Sequence, residues 1–334
     1  MLLRFLLILL LSFSACSKSD IEDAIDIADG VPRKDIDRSK LAINAFVNDG
    51  RFGSISQQFN EVRNVLGISK VRILFNWDNN VQGSPNGSLN FNYYDDIVSS
   101  IPSGVSAIVV VTGTPSWMTN SANWIDGDPR ATFLQKWLRP VLSRYGSNGK
   151  LEGFEIWNEP NMIANAENQV MGFAESPETY ADFFKKASAL VRNLAPGKLC
   201  INAATTAINQ NFPSSVDYNR RMRDAGVADF TDVWNVHYYG RQYEKVITDG
   251  GVADFLNGLN KTVWITESGA QGVNNQLAYG EQAWPFLIDK IPSIQRIYIY
   301  QFTEATPPDV SYGLKNLSSD FPISDLYIHL STNQ

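Results

Sequence analysis

Histidine and cysteine are scarce in this chain, and their scarcity narrows the chemistry open to it. The 334 residues include two histidines, His237 and His329, and two cysteines, Cys16 and Cys200. Because zinc sites are built from several histidine, cysteine and carboxylate ligands, a metal-dependent hydrolase is disfavoured, and we predict no metal and no other cofactor. Cys200 lies in an apolar stretch, where a free thiol usually packs as a small hydrophobic side chain, so it is assigned no function.

Positive charge is also sparse and is not clustered. Lysine and arginine together number 28 against 35 aspartates and glutamates, a formal net charge of -7. Proteins that bind the phosphate backbone of nucleic acid need a basic patch. Nucleic acid is therefore excluded as a partner, neutral carbohydrate remains compatible, and no feature indicates an obligate protein partner.

The apolar run at the N-terminus, from Phe5 to Leu11, is too short to span a bilayer. A short charged start, a short apolar run and a small-residue cleavage site are typical of an export signal. The ending Phe13-Ser14-Ala15-Cys16 resembles a bacterial lipobox, with Phe13 where leucine is usual. We expect a lipoprotein signal peptide over 1–15, a lipid anchor on Cys16 that binds the membrane, and an outer-membrane or cell-surface location. A plain secretory peptide with an incidental cysteine is the alternative.

Residues 16–38 are polar and acidic with no sustained apolar face, which is typical of a tether. Residues 39–334 are expected to form one catalytic domain. Because lipidation of Cys16 would leave Cys200 alone, no intramolecular disulfide is expected, and the stability of the domain must come from its core.

Short apolar runs rich in valine and isoleucine alternate with longer amphipathic stretches after the tether. This alternation predicts parallel strands joined by crossover helices. The amphipathic stretch from Tyr180 is typical: Ser176 and Pro177 precede it as a helix start, and Pro196-Gly197 stops it. The eight predicted strands are Leu41 to Val47, Lys70 to Phe75, Ser106 to Val111, Leu151 to Trp157, Lys198 to Ala203, Asp232 to His237, Thr262 to Thr266, and Arg296 to Phe302.

Eight such units fit either a closed barrel or an open doubly wound sheet. A nucleotide-binding sheet needs a glycine-rich phosphate turn after its first strand, and none is found there. We therefore predict an α/β fold, a (β/α)8 TIM barrel. In this fold the active site lies at the carboxyl ends of the strands.

Two glutamates stand at predicted strand ends. Asn158-Glu159-Pro160 ends the fourth strand, and Thr266-Glu267 ends the seventh. Strands four and seven lie nearly opposite each other in a ring of eight, so the two carboxylates can face one another across the barrel mouth. Cleavage of a glycosidic bond uses such a pair, one to protonate the leaving oxygen and one to attack the anomeric carbon.

This pair of motifs resembles clan A glycoside hydrolases, which include families 5 and 39. The resemblance spans the whole barrel and implies a retaining glycosidase with Glu159 as acid/base and Glu267 as nucleophile. It further implies that Asn158 binds the sugar 2-hydroxyl. Val71-Arg72-Ile73 is similar to the clan segment whose arginine orients the nucleophile. Trp234 to Tyr239 is similar to the clan segment that brings a histidine and a tyrosine beside it.

Three of these residue assignments have two possible interpretations. Arg72 either orients Glu267 or forms a structural ion pair with Glu155, which points the same way as Glu159 by strand alternation. Either Tyr238 or Tyr239 supplies the hydroxyl, with Tyr239 favoured. His237 is either a site residue or a core histidine.

Aromatic residues are predicted to bind the substrate. The segment Gly113-Thr114-Pro115-Ser116-Trp117 resembles a family 39 cleft segment, so Trp117 is expected to stack on a sugar, with Trp77 and Trp124 as further candidates. Tyr300 stands where the clan often has a tryptophan at the sugar platform. The predicted substrate is a β-linked poly- or oligosaccharide, and the alternative function is a non-catalytic carbohydrate-binding barrel on the cell surface.

Overall fold

A computed structural model describes residues 31–240, 244–317 and 323–332 of the chain. The predicted signal peptide, Cys16 and most of the predicted tether lie outside the described residues. No helix among the described residues is long and apolar enough to cross a membrane.

Eight parallel strands form one sheet that curls into a barrel. Hydrogen-bonded pairing runs from β5 through β4, β3 and β2 to β1, and then through β8 and β7 to β6. A further parallel bridge between Ile201 and Val233 brings β5 beside β6. The strands are β1 Leu41–Asn44, β2 Lys70–Asn76, β3 Ser106–Thr112, β4 Leu151–Ile156, β5 Leu199–Asn202, β6 Trp234–Tyr239, β7 Val263–Gly269 and β8 Ile294–Ile299.

The predicted (β/α)8 barrel is therefore confirmed, and all eight predicted strands exist. Their ends differ by a few residues: β1 ends at Asn44 rather than Val47, and β7 continues to Gly269 rather than Thr266. The extension of β7 matters for the site because Glu267 lies inside the strand, where a register shift between Val236 and His237 of β6 sets it opposite His237.

Helices surround the barrel and follow the strands. The helices are α1 Ile55–Asn64, α2 Asn92–Ser100, α3 Pro129–Phe133, α4 Arg139–Tyr145, α5 Ala166–Met171, α6 Pro177–Leu194, α7 Ser214–Asp224, α8 Val252–Gly258, α9 Gln276–Lys290 and α10 Asp325–Thr332. A π-helical turn, Leu134–Leu138, joins α3 to α4. As predicted, α6 begins after Ser176, whose side chain accepts a hydrogen bond from the Thr179 backbone N–H. This cap satisfies a donor that the helix itself leaves unpaired.

Two apolar clusters stabilise the fold. The larger fills the space between the outer faces of the strands and the helices, and includes Trp137, Trp157 and Trp284. The smaller one consists of strand residues such as Ile108, Ile201 and Trp264 and fills the barrel interior. A barrel packed in this way places its free polar groups at its two ends, not along a central pore.

The packed part of the chain begins within the predicted tether. Val31 and Ile36 are buried, and the Val31 carbonyl accepts a hydrogen bond of 2.9 Å from the Gln282 side chain of α9. The Lys34 N–H donates to the Glu281 carbonyl at 2.9 Å, and Arg33 forms an ion pair with Glu281. Residues 31–36 therefore lie against α9, although their composition resembles that of the tether.

Candidate active site

Glu159 lies in a tight turn directly after β4. Trp157 and Glu159 have φ values of 78° and 43°, a left-handed conformation that is costly for non-glycine residues and concentrates at functional sites. The Glu159 N–H donates to the Ala204 carbonyl after β5 at 2.9 Å. The backbone is thus turned so that Asn158 and Glu159 extend over the barrel mouth, while the Trp157 ring is buried against Phe133 and Phe173.

Asn168, on α5, holds this turn and was not predicted from the sequence. Its Oδ1 accepts from the Trp157 indole at 2.8 Å, and its Nδ2 donates to the carbonyls of Glu159 at 2.8 Å and Met162 at 3.0 Å. Asn168 is fully buried. One amide therefore satisfies three groups of the turn, and its position nine residues after Glu159 carries no local sequence signal.

Glu267 is held by two partners. One carboxylate oxygen accepts from Arg72 Nη1 at 2.6 Å, and the other accepts from the Tyr239 hydroxyl at 2.7 Å. Burial raises the pKa of Glu267, but the His237 ring, the Arg72 guanidinium and the Tyr239 hydroxyl outweigh burial and hold the pKa below its usual value. Glu267 is therefore a carboxylate poised to stay ionised.

Arg72 binds both of the carboxylates that the sequence offered as alternatives. Its Nε and Nη2 donate to Glu155 at 2.7 and 2.9 Å, while Nη1 donates to Glu267 and to Asn44 Oδ1, the latter at 3.0 Å. Nη2 also donates to Asn158 Oδ1 at 2.8 Å. The structural ion pair with Glu155 fixes the guanidinium plane, which in turn fixes Glu267 and Asn158.

Asn44 was also missed by sequence reasoning. It is buried at the end of β1, and its Nδ2 donates to the Thr266 and Ile299 carbonyls at 2.9 and 3.2 Å. Its Oδ1 is thereby aimed at Arg72. The sequence contains one signal for Asn44: it is a polar residue at the end of an apolar strand, and such residues line the mouth of this fold.

His237 lies between the two glutamates. Its Nδ1 is 3.0 Å from Glu159 Oε1 and 3.5 Å from Glu267 Oε2, and the ring is fully buried. One ligand atom each from Glu159, His237 and Glu267 lie within 4.8 Å of one another. Of the two readings offered by the sequence, the structure places His237 at the carboxylate pair and in direct contact with it.

Three such side chains also resemble a cation site, since carboxylate oxygens and imidazole nitrogens are metal ligands. Both oxygens of Glu267 already accept short hydrogen bonds, from Arg72 and Tyr239. A metal would have to displace the buried Arg72 guanidinium, whose positive charge repels it. The donor set fits acid–base and nucleophilic chemistry better than metal binding.

A family comparison agrees with this arrangement. Residues 37–298 match the model of the cellulase family, glycosyl hydrolase family 5. The chain belongs to glycosyl hydrolase family 5. It is a glycoside hydrolase of clan A, as its two motifs predicted. No curated protein matches the chain.

Solved structures share the fold of this family 5 chain. A family 39 glycoside hydrolase from Bacteroides cellulosilyticus WH2 superposes with a TM-score of 0.61 at 16% identity, over 90% of this chain and 64% of that one. The chain thus spans less than two thirds of that protein. The endoglucanase Cel5A of Thermotoga maritima gives 0.58 at 16% identity, over 88% of this chain and 98% of that one. The endo-1,4-beta-mannanase of Rhizomucor miehei gives 0.57 at 14%, over 90% and 96%.

In this family 5 barrel, the aromatic residues that were predicted to bind the substrate lie in two groups. Tyr300 lies at the end of β8, after which the peptide bond to Gln301 is cis. Its ring contacts Tyr239 and Tyr312 edge-on at centroid distances of 5.6 and 5.8 Å. Tyr300 is therefore connected to the carboxylate pair by Tyr239, which contacts Tyr300 and donates to Glu267. Tyr238, the alternative to Tyr239, is buried in the surrounding core.

Trp117 belongs to the second group, beside the loop after β2. It is half-buried, packs edge-on against Trp77 at 5.3 Å, and donates its indole N–H to the Gln82 carbonyl at 2.9 Å. Trp77 is fully buried, so its expected role in stacking on a sugar is wrong.

Cys200 is buried as expected, and burial raises the pKa of its thiol to about 12.

Proposed function

We propose that the protein is a retaining glycoside hydrolase that cleaves β-linked poly- or oligosaccharides. The observation that carries the proposal is the spacing of the carboxylates, with oxygens of Glu159 and Glu267 within 4.8 Å. Retaining glycosidases place their two carboxyl groups about 5 Å apart, whereas inverting enzymes leave roughly 6.5–9.5 Å for a water molecule.

The unequal surroundings of the two glutamates support different roles. Glu267 is ionised by its partners and is the nucleophile: its oxygen bonds to the anomeric carbon as the bond to the leaving oxygen breaks. Glu159, whose carboxyl oxygen contacts the His237 ring at 3.0 Å, gives its proton to the leaving oxygen. Water then attacks the anomeric carbon, its proton returns to Glu159, and the ester to Glu267 breaks.

Neighbouring side chains complete the proposed site. Arg72 occupies Asn158 Oδ1, which leaves the Asn158 amide N–H groups to donate to the sugar 2-hydroxyl. Tyr300, which contacts Tyr239, and Trp117, beside the loop after β2, are partly exposed aromatic side chains that can contact sugars. The choice among glucan, mannan and xylan belongs to the loops around this mouth.

The test is hydrolysis by the purified full-length protein of a panel of β-glucans, mannans, xylans and bacterial exopolysaccharides, beside Glu159→Gln and Glu267→Gln. We expect reducing ends to be released by the wild type, and release to fall by at least about a thousandfold in Glu267→Gln. Proton NMR of the first product should show retention of the β-anomer. Equal behaviour of all three proteins, with binding of one polysaccharide, would instead identify a surface carbohydrate receptor.

We also propose that the protein is exported as a lipoprotein with a lipid on Cys16. The support is the N-terminal sequence, a short apolar run that ends in Phe13-Ser14-Ala15-Cys16. In cells fed radiolabelled palmitate, the wild type should carry label and partition into detergent, and Cys16→Ser should not. Unlabelled, soluble wild type would show a plain secretory peptide.

A further inference from the structure

Three tyrosine rings meet beside Glu267. Tyr312, in the loop after β8, contacts Tyr239 edge-on at a centroid distance of 5.3 Å. Tyr300 contacts both of these rings edge-on, at 5.6 Å from Tyr239 and 5.8 Å from Tyr312. Edge-on packing is favourable for aromatic pairs, because the positive edge of one ring meets the negative face of the other. Tyr312, which was not predicted as a site residue, therefore touches the tyrosine that binds the proposed nucleophile.

The loop after β8 fixes the backbone of Tyr312. The Tyr312 N–H donates to Glu304 Oε2 at 2.5 Å, and its carbonyl accepts from the Gln301 N–H at 3.0 Å. The same Glu304 oxygen accepts from the Gly313 N–H at 3.1 Å and from the Ser311 hydroxyl at 3.2 Å. Ser311 and Gly313 are themselves buried. The backbone is thus tied at both its donor and its acceptor, which leaves the ring only its side-chain torsions.

The end of β7 leaves room for this packing. Gly269 is the last residue of β7, the strand that carries Glu267. A Cβ at Gly269 would lie 3.3 Å from Tyr312 Cδ1 and 2.6 Å from the Tyr300 carbonyl oxygen. The loop after β7 is also bound to the loop after β8, since the Gly272 N–H donates to the Ser311 carbonyl at 3.0 Å. Tyr312 therefore packs directly against the strand of the nucleophile.

The direction of the Tyr239 side chain depends on its neighbours. Asn209 fixes the Tyr239 backbone, because it donates to the Tyr239 carbonyl at 2.6 Å and accepts from the Tyr239 N–H at 3.2 Å. The ring can still turn about its side-chain torsions. Its direction decides whether the hydroxyl reaches Glu267, to which it donates at 2.7 Å. Contact with the rings of Tyr300 and Tyr312 restricts this rotation.

We propose that Tyr312 is a positioning residue, whose ring holds the Tyr239 hydroxyl against Glu267. Tyr312 acts through Tyr239 and not on the substrate. The consequence for catalysis rests on the proposed role of Glu267 as nucleophile, because the hydroxyl stabilises the charged form of that carboxylate.

The measurable consequence is a change in the pKa of Glu267. Burial raises this pKa, but His237, Arg72 and Tyr239 outweigh burial and lower it. Loss of the Tyr312 ring weakens the contact with Tyr239, so the pKa should rise. Within the described part of the chain, the titratable and charged groups that face Glu267 are Arg72 of β2, Glu159 after β4, His237 and Tyr239 of β6, and Tyr300 after β8.

The test is a direct titration of Glu267 by NMR, in full-length protein labelled with carbon-13 at the glutamate carboxyl groups. The Glu267 resonance is the one that is absent from Glu267→Gln. In Tyr312→Ala we expect the pKa of Glu267 to rise by between about half a unit and one unit. In Tyr312→Phe, which keeps the ring, it should match the wild type. Tyr239→Phe combined with Tyr312→Ala should shift the pKa no further than Tyr239→Phe alone, because both positions act through one hydroxyl.

Tyr327→Ala is the matched control. Tyr327 is a half-buried tyrosine on α10, and its hydroxyl donates to Glu61 of α1 at 2.7 Å. Its loss should affect stability and leave the pKa of Glu267 unchanged. Tyr312→Leu, which keeps most of the side-chain volume, takes the place of Tyr312→Ala if that variant does not fold. With a hydrolysed substrate, the acid limb of the plot of kcat/KM against pH should move with the measured pKa.

Several outcomes would overturn the inference. One is an unchanged pKa of Glu267 in Tyr312→Ala or Tyr312→Leu, and another is an additive shift in the double variant. An equal shift in Tyr312→Phe would assign the effect to the hydroxyl, and a raised KM with an unmoved acid limb would mean that Tyr312 binds the sugar. Because the titration needs no substrate, the expected shifts in a protein that hydrolyses nothing in the panel would uphold the inference and overturn the proposed function.

Discussion

At the scale of single residues, the site depends on one buried cation shared by two carboxylates. Arg72 is 1% exposed and Glu155 is fully buried, so neither charge has water to solvate it. Burial lowers the pKa of Arg72, but Glu155 and Glu267 together raise it above its usual value. Because Glu155 accepts from two of the guanidinium nitrogens, it orients the guanidinium so that other N–H groups donate to Glu267 and Asn158.

The Tyr239 hydroxyl is predicted to set the lower pH limit of activity. In Tyr239→Phe, the ionised form of Glu267 loses a hydrogen-bond donor, so the pKa of Glu267 rises. The acid limb of the plot of kcat/KM against pH then moves to higher pH, by about one unit for one such hydrogen bond. Tyr218→Phe removes a buried hydroxyl that donates to the Phe173 carbonyl at 2.9 Å and should leave the limb in place. An unmoved limb in Tyr239→Phe would contradict this assignment.

At the scale of elements, the connection between β4 and α5 carries Glu159, the proposed acid. Two non-glycine residues with positive φ in a three-residue stretch are stable only when the surroundings hold them. The buried amide of Asn168 does so through three hydrogen bonds. The strand, its turn and the following helix therefore act as one unit that aims Glu159.

Asn168→Asp tests this unit. The substitution keeps size and the acceptor for Trp157 but removes both N–H donors, so the Glu159 and Met162 carbonyls each lose one of the two hydrogen bonds that they accept. We expect kcat to fall about 10- to 100-fold with a smaller change in KM, measured well below the melting temperature. Asn257→Asp, which removes an exposed amide donor to the Lys290 carbonyl, is the matched control. Full activity in Asn168→Asp would show that the turn holds itself.

At the scale of the whole molecule, the proposed catalytic site and a stabilising charge network lie at opposite ends of the barrel. Near the N-terminal ends of the strands, Glu152 pairs with Lys70 and with Arg296, the latter at 2.7 Å, and accepts from Ser106 at 2.7 Å. The Arg296 guanidinium also lies 4.1 Å from the Trp264 ring centroid. This charge network closes the end of the barrel opposite the proposed catalytic residues.

Glu152 is predicted to make stability depend on pH. Burial raises its pKa, but Lys70, Arg296 and Ser106 lower it to about 2. A carboxyl with a depressed folded-state pKa contributes stability that is complete above its unfolded pKa, near 4.5, and is lost as pH falls toward 2. Because Glu152 and its partners are partly exposed, solvent screens these interactions, and their contribution to stability at neutral pH is about 1 to 2 kcal/mol.

Urea unfolding of Glu152→Gln and wild type at several pH values checks this. The variant should be less stable at pH 7, and the difference should shrink as pH falls below about 4.5. Glu178→Gln, which breaks an exposed pair with Arg221, should change stability little at any pH. A difference between Glu152→Gln and wild type that does not depend on pH would point to packing instead of charge.

The sequence by itself determined the barrel and the two glutamates. Alternating apolar runs and amphipathic stretches are read within windows of a few residues, and a glutamate at a strand end is visible without any distant contact. The fold class was therefore correct, and strand ends were misplaced by only a few residues, because hydrogen-bonded register decides where a strand stops.

Only the tertiary structure decided which side chains meet. Arg72 lies 83 residues from Glu155 and 195 from Glu267 in the chain, and its double pairing follows from the closure of the barrel. The same closure selects Tyr239 over Tyr238, buries Trp77, brings in Asn44 and Asn168, and seats Val31 on α9. Each of these depends on which distant elements a side chain meets, whereas local periodicity indicates only the face of its own strand or helix on which the side chain lies.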